Sequence, residues 1–124
     1  MAKPLGLGGK GEDVATEYLI DRGFEILARN FRSRFGEVDI IAKDENYLCF
    51  IEVKTRTENK NLASGFESID ITKQRKIYKT AEYFILRNAK LVERDNLQPR
   101  FDCIEVNFSG NSADIKYAKN AFEI

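Results

Sequence analysis

Residues 36–56 read GEVDIIAKDENYLCFIEVKTR. Two apolar runs of strand length flank the polar stretch Lys43-Asp44-Glu45-Asn46, which is a hairpin pattern. Hairpin register decides which side chains share a face, so this stretch restricts the fold more than any other. A turn centred on Glu45-Asn46 places Asp39 opposite Glu52 and Glu37 opposite Lys54. Directly opposed Cβ atoms lie about 4.5–5.5 Å apart. Glu52 and Lys54 are two positions apart and therefore share a face. The pattern predicts Glu37, Asp39, Glu52 and Lys54 together on one face. A one-residue asymmetry in the turn would carry Asp39 off it.

The runs Ile40-Ile41-Ala42 and Leu48-Cys49-Phe50-Ile51 are apolar at both alternating positions. Such strands are covered on both sides, and charged groups at their ends need a partner or a purpose. One reading is a structural ion pair in which Lys54 neutralises the acids. The other places a cation between the carboxylates, whose mutual repulsion it relieves. Asp39 and Glu52 could then reach Mg²⁺ or Mn²⁺ at about 2.1 Å, with waters completing the octahedron. The carbonyl of Val53 is a further candidate ligand. Bound water becomes a better nucleophile at lowered pKa, and Lys54 adds charge where a phosphate grows more negative. The chemistry that uses this set is metal-assisted phosphodiester hydrolysis.

Composition narrows the alternatives. The chain has 124 residues, 43% hydrophobic and 32% charged, which favours one folded domain over 1–124 and excludes disorder as the main state. There is no histidine, so the commonest general base and zinc ligand is missing and oxygen ligation of a hard cation is favoured. Cys49 and Cys103 lie in apolar runs and read as reduced core residues. Twenty basic residues balance twenty acidic ones, which argues against a simple polyanion binder. No apolar run reaches the roughly 18 residues of a membrane span, and MAKPLGLGGKG lacks the apolar core of a secretory signal. The expectation is a cytoplasmic protein without membrane contact, with residues 1–10 flexible. Gly6, Gly8 and Gly11 fit G-x-G-x-x-G, but no strand precedes them, so a dinucleotide site is not expected.

Along the chain, Val14, Ala15, Tyr18 and Leu19 form the apolar stripe of a first helix that Gly23 stops. Glu12 sits in its first turn, where it complements the helix dipole. FEILARNF reads as a strand, followed by the two hairpin strands. The polar loop TENKNLASGFESID is long enough to carry function. Ser68 or Asp70 can cap a second helix over 71–88, with core positions Ile77, Ala81, Phe84 and Ile85. A charged loop with Pro99, the strand RFDCIEVNF and an edge strand within ADIKYAKNAF complete the chain. The order α-β-β-β-α-β, with a further strand, implies a mixed sheet with helices on its faces.

Asp39 followed by Glu52-Val53-Lys54 on the next strand resembles the D…(D/E)-x-K signature of the PD-(D/E)XK nuclease superfamily, whose core has this element order. GEDVATEYL, RNFRSRFGEVDIIA, FIEVKTR and RFDCIEV together look like the bacterial YraN-type family, which is described as nuclease-like and related to archaeal Holliday-junction resolvases. The resemblance spans residues 8–108, although Val38 stands where the superfamily name has Pro. It implies an α/β, restriction-endonuclease-like core and an Mg²⁺- or Mn²⁺-dependent endonuclease acting on nucleic acid, chiefly DNA and including branched DNA. Asp39 and Glu52 would be metal ligands and Lys54 the catalytic lysine. Glu12 matches a helix-one glutamate that some members use as another ligand. Glu37 stands beside the site, either within it or paired with Lys54 or an arginine. Resolvase-like relatives are often dimers, with exposed YFIL or the C-terminal AFEI as candidate faces. The alternative is a nucleic-acid-binding module that keeps this architecture without autonomous cleavage.

Candidate nucleic-acid contacts are Arg32, Arg34 and Arg56, which flank the site, and Lys73, Gln74 and Arg75 on the second helix; Arg29, Lys76 and Lys79 extend the basic surface. Gln74 either points into the site or is a satisfied amide. Phe31 and Phe35 are interleaved with the arginines. Either could stack on bases, and one of them belongs to the core.

Overall fold

The computed structural model describes residues 7–57 and 69–122; Ser68 and most of the long polar loop lie outside the described residues. Its elements are α1 (Leu7–Asp21), β1 (Glu25–Ser33), β2 (Gly36–Asp44), β3 (Tyr47–Thr57), α2 (Ile71–Arg87), α3 (Ala89–Arg94), β4 (Gln98–Ser109) and β5 (Ser112–Ala118). The strands form one five-stranded sheet in the order β1-β2-β3-β4-β5. β3 and β4 run parallel, and the other neighbours are antiparallel. A parallel pair needs a crossover, which here contains α2 and α3. The mixed α/β architecture flanked by helices is as expected. One difference is α3, which forms in the segment expected to be a charged loop. Pro99 lies inside β4, opposite Leu48. β5 pairs with β4 only from Cys103 onward, so Pro99 lies on an edge, where a missing N–H costs no ladder bond.

Each face of the sheet carries its own core. On the α1 face, Ala15 and Leu19 pack with Ile40, Ala42, Cys49, Ile51, Ile104 and Val106. On the α2 face, Ile77, Ala81 and Phe84 pack with Val38, Ile41, Leu48, Phe50 and Phe101. Burying side chains of this size stabilises the fold by about 1.5–3 kcal/mol each. Phe50 stacks on Phe101 with centroids 5.6 Å apart and meets the edge of Phe84 at 6.0 Å. Both cysteines are free and buried. Burial, reinforced by nearby carboxylates, pushes each thiol up to about 12.

Local chemistry sets the element ends. Asp70 caps α2 by accepting the Lys73 N–H at 2.9 Å, a contact typically worth about 1 kcal/mol. Gly23 ends the turn after α1 at φ +90, backbone that favours glycine. α1 starts at Leu7, ahead of the amphipathic pattern, and brings Gly11 against β3. A Cβ on Gly11 would stand 2.1 Å from Thr55 Oγ1, so only glycine allows that approach. Of the two candidate stacking phenylalanines, Phe31 is the core one. It packs on Phe84 at 5.2 Å, whereas Phe35 stands at the β1–β2 turn.

Candidate active site

The hairpin forms in the expected register, with Asp44 paired to Tyr47 and Ile40 to Ile51. The ladder then stops. Asp39 does not complete a backbone pair with Glu52. Instead its Oδ2 accepts the Val53 N–H at 2.7 Å, so a side chain replaces the next rung where β2 and β3 part. The strand also changes phase here. Val38 and Ile41, three positions apart, both pack on the α2 face, while Ile40 and Ala42 pack on the α1 face. Strict alternation would put Val38 and Ile40 together. Beside this point, Asn30 of β1 adopts φ +52, consistent with a local kink of the two strands.

The phase change corrects one expectation. Glu37 does not face Lys54; it lies opposite Arg32 across the β1–β2 ladder, with the charged atoms 3.7 Å apart. It still lines the same cavity as the other acids. That cavity, about 230 Å³, is lined by Glu37, Asp39, Glu52, Lys73 and Lys76, with Gly36 and Ile77 at its walls. Glu52 is 7% exposed and is flanked by two ammonium groups: Lys73 Nζ at 2.5 Å and Lys54 Nζ at 4.0 Å. Asp39, Glu52 and Lys54 are thus brought together as the spacing implied. Val53 enters the site through its N–H.

Electrostatics distinguish the two acids. Burial pushes Asp39 up to about 7, and the negative charge of Glu52 adds to that; the Val53 N–H only partly offsets them. Burial also raises the pKa of Glu12, against the pull of Asn30 and Arg29. Glu12 lies near enough to add to the negative field at Asp39, and Arg29 approaches it at 3.8 Å while holding Asp13 at 3.0 Å. Burial would depress the pKa of Lys73, but its hydrogen bond to Glu52 and the charge of that carboxylate outweigh this and raise it.

Among the described residues, no group of three or more Asp, Glu or Cys side chains forms a ready metal cage. Two carboxylates suffice for Mg²⁺, which keeps several waters and takes one or two protein carboxylates. The donors present fit such a hard cation. Asp39 Oδ1 has no hydrogen-bond partner among the described residues, and burial and the Glu52 charge raise the Asp39 pKa.

The remaining candidates divide into several environments. Arg34 and Arg75 are exposed beside Phe35. Arg32 is 75% exposed. Arg56 binds the buried Glu105 at 3.0 Å, so its charge is already partnered. Gln74 is a satisfied, half-buried amide that donates to the Ile69 carbonyl at 2.9 Å. Of the suggested dimer face YFIL, Phe84 is buried and Leu86 exposed; Phe122 packs against the α2-face core. Lys76, a surface cation by sequence, proves to line the acids' cavity; its position one turn beyond Lys73 was the available signal.

Residues 11–106 match the model of the group described as "Uncharacterised protein family UPF0102". The chain belongs to the UPF0102 family. It is 46% identical over 120 residues to a UPF0102 protein of Clostridium botulinum strain 657, a match spanning 95% of this chain and 94% of that one. A UPF0102 protein of Caldicellulosiruptor saccharolyticus is 47% identical over 120 residues, spanning 94% of this chain and 96% of the relative. This UPF0102 chain has no helix, among its described residues, long and apolar enough to cross a membrane.

Proposed function

We propose that this UPF0102 protein is a metal-dependent nuclease of the PD-(D/E)XK kind that hydrolyses phosphodiester bonds in DNA. One observation carries the reading: Asp39 and Glu52 line one cavity, close enough that each charge opposes the other, with Lys54 beside them. Buried like charges persist where a function requires them. Asp39, fixed by the Val53 N–H, would hold the cation through Oδ1, and Glu52 would supply the second carboxylate. When bound, Mg²⁺ or Mn²⁺ supplies Lewis-acid polarisation of a phosphoryl oxygen and lowers the pKa of water. Lys54 sets its ammonium where the non-bridging oxygens gain charge as the P–O bond breaks. Lys73 balances the charge of Glu52. Glu12 and Glu37 deepen the negative field from the edges of the site.

The test is incubation with Mg²⁺ or Mn²⁺ and linear, supercoiled, single-stranded and branched DNA, with RNA alongside. Cleavage that disappears with a chelator, with Glu52→Ala and with Lys54→Ala is expected. Absence of cleavage on every substrate, or cleavage that both variants retain, sinks the reading. The close Lys73–Glu52 pair also suits a second one, a module that binds nucleic acid without cutting it. That reading requires salt-dependent binding and no metal-dependent turnover.

A further inference from the structure

The cavity of the acids does not end at Lys76. That lysine also lines an adjoining groove of about 360 Å³ with Arg34, Phe35, Thr72, Arg75 and Lys79. Phe35 then borders two more hollows, of about 330 and 300 Å³, both of which include Tyr83. One half-buried ring therefore stands at the centre of a track that leads along the outer face of α2 into the acids.

Three features separate this track from an ordinary charged surface. First, Arg34, Arg75, Lys76 and Lys79 line one groove, and none of the four has a carboxylate within ion-pair distance among the described residues. Second, two cations approach the ring of Phe35. The Arg34 guanidinium lies 5.1 Å and the Lys79 ammonium 5.6 Å from its centroid. Third, Phe35 is held in place. Its N–H donates to Ser33 Oγ at 3.0 Å, and Ser33 Oγ is bonded to the buried Thr80 Oγ1 at 2.9 Å. A platform fixed before binding loses little entropy when a ligand lands on it.

We infer that this track binds a single-stranded segment of the DNA substrate, with a base stacked on Phe35 and its phosphates on Arg34, Arg75, Lys76 and Lys79. The assignment rests on the nuclease reading for its destination, the Asp39–Glu52 cavity. Its chemistry is that of single-strand sites, which combine a cationic groove with an aromatic face. Duplex bases are stacked on one another and offer Phe35 no face, so the class of substrate is DNA with unpaired nucleotides next to the cut.

The test is titration of a fluorescent 15-nucleotide oligo-dT in a chelator, so that binding is read without cleavage. The wild-type protein binds it at least about ten-fold more tightly than a duplex of equal length. Phe35→Ala weakens binding by about 5- to 150-fold, the range that one stacked base represents. Phe35→Leu, which keeps apolar bulk at the turn, weakens it similarly while leaving the melting temperature in place. The double substitution Arg34→Ala/Lys79→Ala lowers the slope of log K against log salt by about 1.4, or about 0.7 for each lost phosphate contact. Equal affinity for duplex, or full affinity in both Phe35 variants, overturns the inference. An oligo-U strand bound ten-fold more tightly than oligo-dT overturns the assignment to DNA. Cleavage without strand preference defeats this inference alone, and strand binding without cleavage defeats the nuclease reading alone.

Discussion

Two charged clusters lie back to back across the sheet. In the β3–β4 ladder Asp102 aligns with Ile51, and the next pair is Cys103 with Glu52. Asp102 points to the α1 face and Glu52 to the α2 face, so one pair of positions separates two very different settings. Asp102 is fully buried and fully partnered: it accepts from Arg100 Nε at 3.0 Å, Tyr117 Oη at 2.5 Å and the Asn120 N–H at 2.8 Å. Arg100 reaches on to Asp44 at 3.2 Å. Asp39, on the other side, has one N–H bond, a second carboxylate beside it and the field of the Lys73 ammonium. A closed network holds a fold. An acid left with a like-charged neighbour marks a candidate functional site.

The sharpest test of this contrast is Asp102→Ala. It removes the main acceptor of the Arg100 guanidinium, which keeps Asp44, and of the Tyr117 hydroxyl, and a broken buried pair costs about 3–5 kcal/mol. Urea unfolding should show that loss; a variant as stable as the wild type would remove the structural half of the comparison. On the opposite face, Lys54→Ala should lower the single-turnover cleavage rate by about 10²–10³-fold while changing stability by less than about 1 kcal/mol. A stability loss as large as that of Asp102→Ala would make both clusters structural.

Mn²⁺ at a hundred times its dissociation constant should stabilise the wild type by about 2.7 kcal/mol, visible as a rise in melting temperature. Glu52→Ala should abolish the rise, and an unchanged rise would place the cation elsewhere. A smaller effect is expected from Asp39→Asn without metal. The folded pKa of Asp39 is pushed up to about 7 from an ordinary 3.8, so the folded chain holds the proton that the unfolded chain releases. Stability therefore falls as pH rises between about 4 and 7. The neutral Asn escapes that loss and can still accept the Val53 N–H. Its gain should be absent below about pH 4 and reach about 1–2 kcal/mol above pH 7, allowing for solvent screening. Unfolding curves at pH 4 and pH 8 decide it, and a loss of stability at pH 8 would show that Asp39 is not under charge strain.

Much of the site was legible because local rules governed it. The two-residue turn fixed the hairpin register, and the two-residue period set Glu52 and Lys54 on one face. Asp70 and Gly23 ended their elements through capping and backbone chemistry that any sequence displays. The phase change at Asp39 was not legible, since it depends on β2 leaving β3 while still paired with β1. Nor was the Asp102 network, whose members Asp44, Arg100, Tyr117 and Asn120 come from β2, β4, β5 and the segment after β5. Lys73 and Phe35 reach their places only because α2 crosses over the α2 face beside the β1–β2 turn.

By itself, then, the sequence determined the mixed sheet, the hairpin register and the carboxylate-carboxylate-lysine set, because short-range periodicity and turn chemistry act within a few residues. Tertiary structure alone decided which acids are satisfied. A charge buried in a sheet takes its partners from whichever strands and helices pack beside it, and their separation along the chain carries no pattern to read. That is why Asp102 and Asp39, both acids within apolar strands, became a structural anchor and a candidate ligand.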